Sequence, residues 1–213
     1  MQAAGEPVRR ADAVANRAHI LEVAQALFAE RGLELEMSEV AARARLGVGT
    51  LYRHFANRED LLRALILRTI EDGLRQYRAA LESVSADPRG ALQALILAML
   101  RVHQQYGPLF ALMRDPRLAK LQLFDPPPEK SIRAQILEIP KALLAEGIKL
   151  GVFRADLDQE MAATMILGTL SSAIDFLDAE RSLDEMARRL SHFLLAVLER
   201  KPAESPFPGG EYA

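Results

Sequence analysis

The sequence has no cysteine and no tryptophan among its 213 residues. Without cysteine, neither a disulfide nor a thiolate metal site can form, and a reducing cytoplasm is the expected compartment. Its four histidines, at positions 19, 54, 103 and 192, lack the paired spacing of metal ligands. The sequence also has no G-x-S-x-G nucleophile elbow and no glycine-rich phosphate loop. We therefore expect no catalytic residues, no metal and no cofactor.

Long hydrophobic runs are lacking as well. The most apolar stretch, residues 161–177 (MAATMILGTLSSAIDFL), is slightly short for a membrane span and carries Asp175 near its end, which favours a buried interface helix. The first 13 residues are polar and small, and we interpret them as a disordered arm without a signal peptide. With 50% hydrophobic residues, the chain is still apolar enough to form a core.

Apolar residues recur at helical spacing almost throughout, and no alternating strand pattern occurs, so the sequence predicts an all-α fold of about nine helices. Asn57, Asp87, Asp158 and Ser182 are expected to cap helix starts. The pair Gly107–Pro108 is expected to end the fifth helix, and Pro108 to begin a short sixth that Pro116 limits. The tail, residues 201–213, is predicted to be disordered.

The stretch GVGTLYRHF, residues 47–55, combines an apolar stripe with groups that can bind phosphate. At 100° per residue, the stripe comprises Val48, Leu51, Tyr52 and Phe55. The opposite face comprises Gly49, Thr50, Arg53 and His54. Its polar side chains can donate to phosphates or base edges, and an arginine can bond guanine bidentately. With the preceding helix, the stretch predicts a helix-turn-helix whose second helix enters a major groove.

Charge supports this interpretation only locally, since the whole chain carries a net charge of −2. From Val40 to Arg58 there are four arginines and no acidic residue, which predicts a basic face. The alternative is an ordinary solvated or packed helix surface. Residues 1–60 as a whole contain eight arginines and nine acids, and this near-balance leaves the alternative open.

At these residues the sequence resembles the tetracycline-repressor (TetR) family of transcriptional regulators. The resemblance rests on ALFAERG (26–32), SEVAARA (38–44), GVGTLYRHF (47–55) and NREDLL (57–62), four elements in register over about residues 14–65. It implies a three-helix helix-turn-helix DNA-binding domain at 14–60. A helical-bundle domain for ligand binding and dimerisation would follow at 61–200.

The resemblance also implies a set of DNA contacts. Groove contacts are expected from Val48, Gly49, Thr50 and Arg53, and phosphate contacts from Tyr52, His54, Asn57 and Arg58. The chain departs from the family pattern at three positions. Arg45 stands in place of the turn glycine, and Gly47 and Glu36 in place of Ser or Thr caps. We expect Arg45 and Gly47 to belong to the DNA-binding surface, with the charge of Arg45 compensating for the lost hydroxyl.

The last two predicted helices are more apolar than one small domain needs, which predicts a two-fold, four-helix dimer interface. The expected interface residues are Met165, Gly168, Thr169, Ser172, Phe176, Leu190, Phe193, Leu194 and Val197. An ordinary monomer core is the alternative, because periodicity does not distinguish burial within a chain from burial between chains.

The resemblance implies a pocket for a small effector in the second domain. Candidate lining residues are Tyr77, Met99, His103, Tyr106, Phe110, Met113 and Arg114, a mostly apolar set with a few polar groups. His103 on an apolar face is either a ligand contact or a core histidine with a backbone partner.

The sequence thus favours a cytoplasmic, homodimeric repressor that binds a palindromic operator in double-stranded DNA and is released by a small apolar or amphipathic effector. No membrane partner is expected. The alternative is a helical small-molecule-binding or interaction protein that no longer binds DNA.

Overall fold

The computed structural model describes residues 6–84, 87–113, 129–176 and 182–199. Within these ranges the protein is all-α, as predicted, with eight α-helices and one 3-10 turn at Gly32–Glu34 and no strand. The helices are α1 (Glu6–Arg31), α2 (Met37–Arg43), α3 (Val48–His54), α4 (Arg58–Glu82), α5 (Pro88–Met113), α6 (Glu129–Lys149), α7 (Gln159–Phe176) and α8 (Leu183–Leu198). No helix in the described ranges is long and apolar enough to cross a membrane.

The four predicted helix caps are present. Asn57 Oδ1 accepts from the Asp60 amide at 2.8 Å, and Asp87 accepts from two amides at 3.0 Å before α5. Asp158 Oδ1 accepts from two amides at the start of α7, at 3.1 and 3.0 Å, and Ser182 accepts from the Glu185 amide at 3.2 Å. Each cap satisfies backbone donors that the first helical turn leaves without a partner.

Two predicted boundaries were wrong. The disordered arm predicted for residues 1–13 is helical from Glu6, because its alanines and arginines are good helix formers and proline is tolerated in a first turn. The fifth and sixth helices are joined, since α5 continues through Gly107–Pro108 to Met113. Tyr106 and Leu109 are both buried, and their burial offsets the roughly 3 kcal/mol cost of an internal proline. Residues 114–116 and 201–213 lie outside the described ranges.

The chain divides into two compact units, residues 1–72 with 106–128 and residues 73–105 with 129–213. Both α4 and α5 contribute to each unit. The division differs from the domain boundary predicted after residue 60, which falls inside α4. The reason is that the first turns of α4 bury Leu61, Leu62, Leu65 and Ile66 in the core of the first unit.

That core gathers apolar side chains from five helices. Its buried members are Ile20, Leu21, Ala24, Leu27, Phe28, Leu35, Met37, Val40, Ala41, Leu51, Phe55, Leu61, Leu62, Leu65, Ile66 and Leu109. Because α1, α2, α3 and α4 share these contacts, displacing any one of them exposes apolar surface of the others.

In the second unit, α6 packs against α7, and a tight turn follows α6. The Gly147 carbonyl accepts hydrogen bonds from the amides of Val152 at 2.9 Å and Phe153 at 3.0 Å. A Cβ on Gly147 would lie 2.0 Å from the buried Phe153 ring, so the turn requires glycine there.

Candidate nucleic-acid interface

Helix α3 is attached to the first unit by two buried side chains. Leu51 is 0% exposed and Phe55 is 2% exposed. The helix begins after Gly47, whose carbonyl accepts from the amides of Thr50 at 2.8 Å and Leu51 at 3.2 Å. Gly47 is extended and offers no side-chain cap. A seven-residue helix is marginal on its own, so these contacts hold it in place.

The opposite side of α3 faces outward. Val48 and Tyr52 are 46% and 48% exposed, so the predicted apolar stripe of four residues was half wrong. Only Leu51 and Phe55 of the predicted stripe belong to the buried core. Gly49 and Arg53 are exposed, and Thr50 and His54 are half-buried.

Nothing in the described part of the first unit requires glycine at position 49. Its φ is not positive, and a Cβ built on it would meet no atom within 4 Å. Glycine nevertheless lowers the stability of a helix by about 0.5–1 kcal/mol relative to alanine. Gly49 therefore leaves a gap on the surface of α3 near the exposed side chains of Val48 and Tyr52. No contact among the described residues of the first unit requires this gap.

The turn before α3 is a Schellman motif closed by Arg45. The Leu46 amide donates to the Ala41 carbonyl at 3.0 Å, and the Arg45 amide donates to the Ala42 carbonyl at 3.1 Å. Arg45 has a φ of 57°, the left-handed conformation that favours glycine. The structure thus explains why the family pattern has glycine here. In this chain the residue in the strained conformation is an exposed arginine, three positions before the first residue of α3.

The start of α4 borders the same surface. Asn57 is exposed while its side chain caps the helix. Arg58 is half-buried, and its Nε is buried without a hydrogen-bond partner among the described residues. Arg58 lines a groove together with Val48 and Tyr52 of α3, and the role of Asn57 and Arg58 in DNA binding stays a prediction.

The predicted basic face carries less unpaired positive charge in the structure than the order of residues along the chain suggests. Arg43 Nη1 donates to Glu30 Oε1 at 2.6 Å, and this hydrogen bond is the main reason that the pKa of Glu30 lies below its usual value. The same bond raises the pKa of Arg43. Glu30 is 13 residues away in sequence, so the local charge pattern did not show the pairing. Arg45 and Arg53 are exposed and have no ion-pair partner among the described residues.

An open groove of about 960 Å³ places carboxylates next to the candidate DNA contacts. It is lined by Arg31, Leu33, Glu34, Leu35, Glu36, Met37, Ser38, Glu39, Val48, Tyr52 and Arg58. Glu39 pairs with Arg31 at 3.6 Å, and Glu36 accepts from Ser38 Oγ at 3.3 Å. Three carboxylates and two guanidinium groups line the groove, so a phosphate chain lying along it would meet a slight excess of negative charge.

Two polar side chains of α1 that the sequence did not single out contact the same region. The Arg17 guanidinium lies 4.9 Å from the centre of the Phe55 ring. His19 Nε2 lies 3.3 Å from the Ala44 carbonyl oxygen at the end of α2. Their partners are more than 20 residues away, so no local sequence signal indicates either contact.

Most of the predicted dimer residues lie on one apolar face of α7 and α8. Met165 and Phe193 are both 61% exposed, and Val197 is 51% exposed. Gly168 is exposed, Thr169 and Leu190 are half-buried, and Leu194 is buried. A groove of about 250 Å³ between the helices is lined by Leu157, Asp158, Met161, Ala162, Met165, Ile166, Thr169, Phe193, Leu194, Val197 and Leu198. The side chains of Ser172 and Phe176 lie outside the described part.

The predicted effector residues are divided between the two units, and some lie outside the described part of the chain. Tyr77 is buried in the second unit, and burial raises its pKa to about 12. Met99 and His103 are half-buried on α5. Tyr106 belongs to the first unit, where its hydroxyl donates to Asp72 Oδ2 at 3.1 Å. Arg114 and the side chains of Phe110 and Met113 lie outside the described part of the chain.

The known proteins that this chain resembles are transcriptional regulators. The family model described as bacterial regulatory proteins, tetR family, matches residues 20–65. The HTH-type transcriptional repressor KstR2 of Mycobacterium tuberculosis is 30% identical over 156 residues, which cover 72% of this chain and 76% of that protein.

Two solved structures extend the similarity to most of the chain. PfmR, a TetR family transcriptional regulator from Thermus thermophilus, has 28% identity and a TM-score of 0.64 over 85% of this chain and 99% of that one. The transcriptional regulator FadR from Bacillus subtilis, solved in complex with stearoyl-CoA, has 21% identity and a TM-score of 0.65 over 84% of this chain and 97% of that one.

The left-handed conformation of Arg45 leads to a stability prediction. We expect Arg45→Gly to raise the free energy of unfolding by up to about 1 kcal/mol, because it removes a 1–2 kcal/mol conformational penalty and adds the smaller entropy cost of glycine. Urea unfolding measures the change. As a control, Arg53→Gly replaces an arginine in ordinary helical conformation and should destabilise by about 0.5–1 kcal/mol. An equal loss in both variants would contradict the strain at position 45.

Proposed function

Because this chain belongs to the TetR family of bacterial regulatory proteins, we propose that it is a repressor that binds a palindromic operator as a homodimer and leaves it when a small amphipathic effector binds. Membership of a family of DNA-binding transcriptional regulators confirms the expectation that the chain is not an enzyme. A regulator of this kind acts where the bacterial chromosome is, in the cytoplasm.

The observation that carries the proposal is the division of α3 into two faces. Leu51 and Phe55 fix the helix to the core, while Val48, Tyr52 and Arg53 are exposed around an unfilled glycine. Exposed apolar side chains that flank a bare backbone suit a surface that a partner approaches closely. In a major groove, Val48 would contact thymine methyl groups and Arg53 would bond guanine.

The remaining candidate contacts lie on α3 itself and at the start of α4. Thr50, Tyr52 and His54 offer donors along the helix, and Asn57 and Arg58 offer donors at the start of α4. These donors would hold phosphates on either side of the groove that α3 enters. The carboxylates of Glu34 and Glu36 line the same groove as Tyr52 and Arg58. They are expected to weaken non-specific binding, so that specific base contacts contribute a larger share of the affinity.

The apolar face of α7 and α8 supports a dimer. Four large apolar side chains, Met161, Met165, Phe193 and Val197, are each more than half exposed and border one groove. A second copy of this chain is the proposed occupant, because two copies of the same groove-and-ridge face can interdigitate about a two-fold axis. A two-fold dimer reads two half-sites about 34 Å apart, which accounts for a palindromic operator.

Release by an effector would use the continuity of α4. This helix starts at Arg58 beside α3 and runs to Glu82, so it belongs to both units. A ligand that favours another orientation of α4 would shift DNA affinity by its differential affinity for the two states. Since FadR was solved with stearoyl-CoA, acyl-CoA thioesters are the first compounds to test for release.

The proposed function is tested by selecting bound duplexes from a random DNA pool. We expect the wild-type protein to enrich a palindrome, and the Arg53→Ala, His54→Ala variant to enrich none. On the enriched duplex, Arg53→Ala alone should weaken binding by about 1–3 kcal/mol, because a bidentate base contact is lost. Arg78→Ala, which removes an exposed arginine from α4 within the second unit, should leave affinity unchanged.

If no duplex is enriched even at low salt, the helical binding protein without DNA-binding activity becomes the better assignment. An enriched duplex also provides the probe on which acyl-CoA thioesters are screened for release.

Substitution of Gly49 separates stability from DNA binding. Gly49→Ala should stabilise the first unit by roughly 0.5 kcal/mol, since alanine is the better helix former and its Cβ meets no atom. The same methyl group should weaken operator binding at least about tenfold, because it occupies space that the groove wall needs. Thermal unfolding and fluorescence anisotropy on the selected duplex measure the two effects. Unchanged affinity in a stabilised variant would show that DNA does not approach α3 at this glycine.

The dimer proposal predicts the effect of a charge on the α7–α8 face. Phe193→Glu should convert a particle of twice the 23.6 kDa chain mass into one of a single chain mass, because an unpaired carboxylate would be buried in the interface. Analytical ultracentrifugation measures the mass. His192→Glu places the same charge on the adjacent exposed residue outside the groove and should leave the dimer intact. A wild-type protein with a single chain mass at micromolar concentration would refute the proposal.

A further inference from the structure

Arg68 on α4 joins that helix to α1 through polar contacts. Its Nη1 donates to the Ala18 carbonyl oxygen at 2.9 Å, and its Nη2 donates to Glu22 Oε1 at 3.3 Å. The side chain is 28% exposed. A planar guanidinium that bonds a backbone carbonyl of another helix fixes the distance and the angle between the two helices.

Asp72, one helical turn further along α4, lies within ion-pair distance of Arg68. Arg68 Nε lies 3.8 Å from Asp72 Oδ2, and the same oxygen accepts the hydroxyl of Tyr106 on α5 at 3.1 Å. Tyr106 is only 4% exposed. Three helices of the first unit are therefore linked by one polar chain, from the tyrosine hydroxyl through a carboxylate and a guanidinium to α1.

This chain of contacts bears on the DNA-binding surface because α1 supports α3. Leu27 and Phe28 of α1 lie in the same buried cluster as Leu51 of α3. At the other end, α5 extends from Tyr106 back through the second unit to Pro88. A rotation of α5 that withdraws the tyrosine hydroxyl would leave Asp72 and Arg68 less well fixed, and α1 would be held less firmly.

We propose that Tyr106, acting through Asp72 and Arg68, is a positioning residue that holds α1 against α4 in the arrangement that binds DNA. None of the three side chains contacts DNA in this scheme. The predicted effect on DNA affinity rests on the proposed function. The predicted effect on how firmly α1 is held against α4 does not.

The test compares Tyr106→Phe with the wild-type protein by two measurements. Hydrogen exchange of the α1 amides should become faster by about two- to tenfold, the range that the loss of one net hydrogen bond gives. Binding to the palindrome enriched from the random pool should weaken by a similar factor. The slope of log affinity against log salt should not change, because no phosphate contact is lost.

Two further variants make the test specific. Thr69→Val removes a buried α4 hydroxyl that has no hydrogen-bond partner among the described residues, so both measurements should match wild type. Arg68→Gln should reproduce the effect of Tyr106→Phe, and the double variant should be no weaker than Arg68→Gln alone, since the two residues act in series.

The outcomes separate the proposals. If Tyr106→Phe behaves like Thr69→Val, or if its effect adds to that of Arg68→Gln, the positioning role is refuted. If Tyr106→Phe changes α1 exchange as expected but wild type enriches no DNA, the proposed function fails and the link between α5 and α1 stands. If Arg53→Ala weakens binding and Tyr106→Phe changes neither measurement, only the positioning role fails.

Discussion

The candidate DNA-binding surface depends on the burial of Leu51 and Phe55 in the core of the first unit. A helix of seven residues does not persist in water by its own hydrogen bonds, because nucleation costs more than so few bonds return. Two side chains that are almost completely buried, with the backbone bonds that follow Gly47, supply the missing stability. As a result, the outer residues of α3 contribute little to folding and are free to suit a ligand outside the chain.

The charge of this surface depends on ion pairs between residues that are far apart in the sequence. A run of four arginines without an acid suggests a strong cationic face, but Glu30 neutralises Arg43 from α1. The carboxylates of Glu34 and Glu36 border the groove next to Tyr52. What remains exposed near α3 is chiefly Arg45 and Arg53. A surface with so few unpaired cations would gain little from non-specific phosphate binding, so under the proposed function its affinity for DNA would come largely from contacts to bases.

The sequence predicted the features that are local and missed those that depend on distant partners. The caps at Asn57, Asp87, Asp158 and Ser182 involve residues no more than three positions apart, so their side chains alone identify them. The exposure of Val48 depends on how α3 meets the core. The continuation of α5 through Pro108 depends on the burial of Tyr106 and Leu109, which no short window reveals. The pattern of the helix-turn-helix was sufficient for the fold, but not for the charge of its surface.

The first unit holds α1 by two kinds of contact that tolerate movement differently. Apolar packing has no preferred direction, and its energy follows buried area, so a helix can shift slightly at little cost while its side chains stay covered. A hydrogen bond weakens steeply once its angle or distance leaves a narrow range. The bonds from Arg68 to Ala18 and from Tyr106 to Asp72 therefore fix the position of α1 within the limits that the core allows. A change in α5 small enough to leave the core intact is still enough to break the bond from Tyr106 to Asp72, because that bond tolerates little movement.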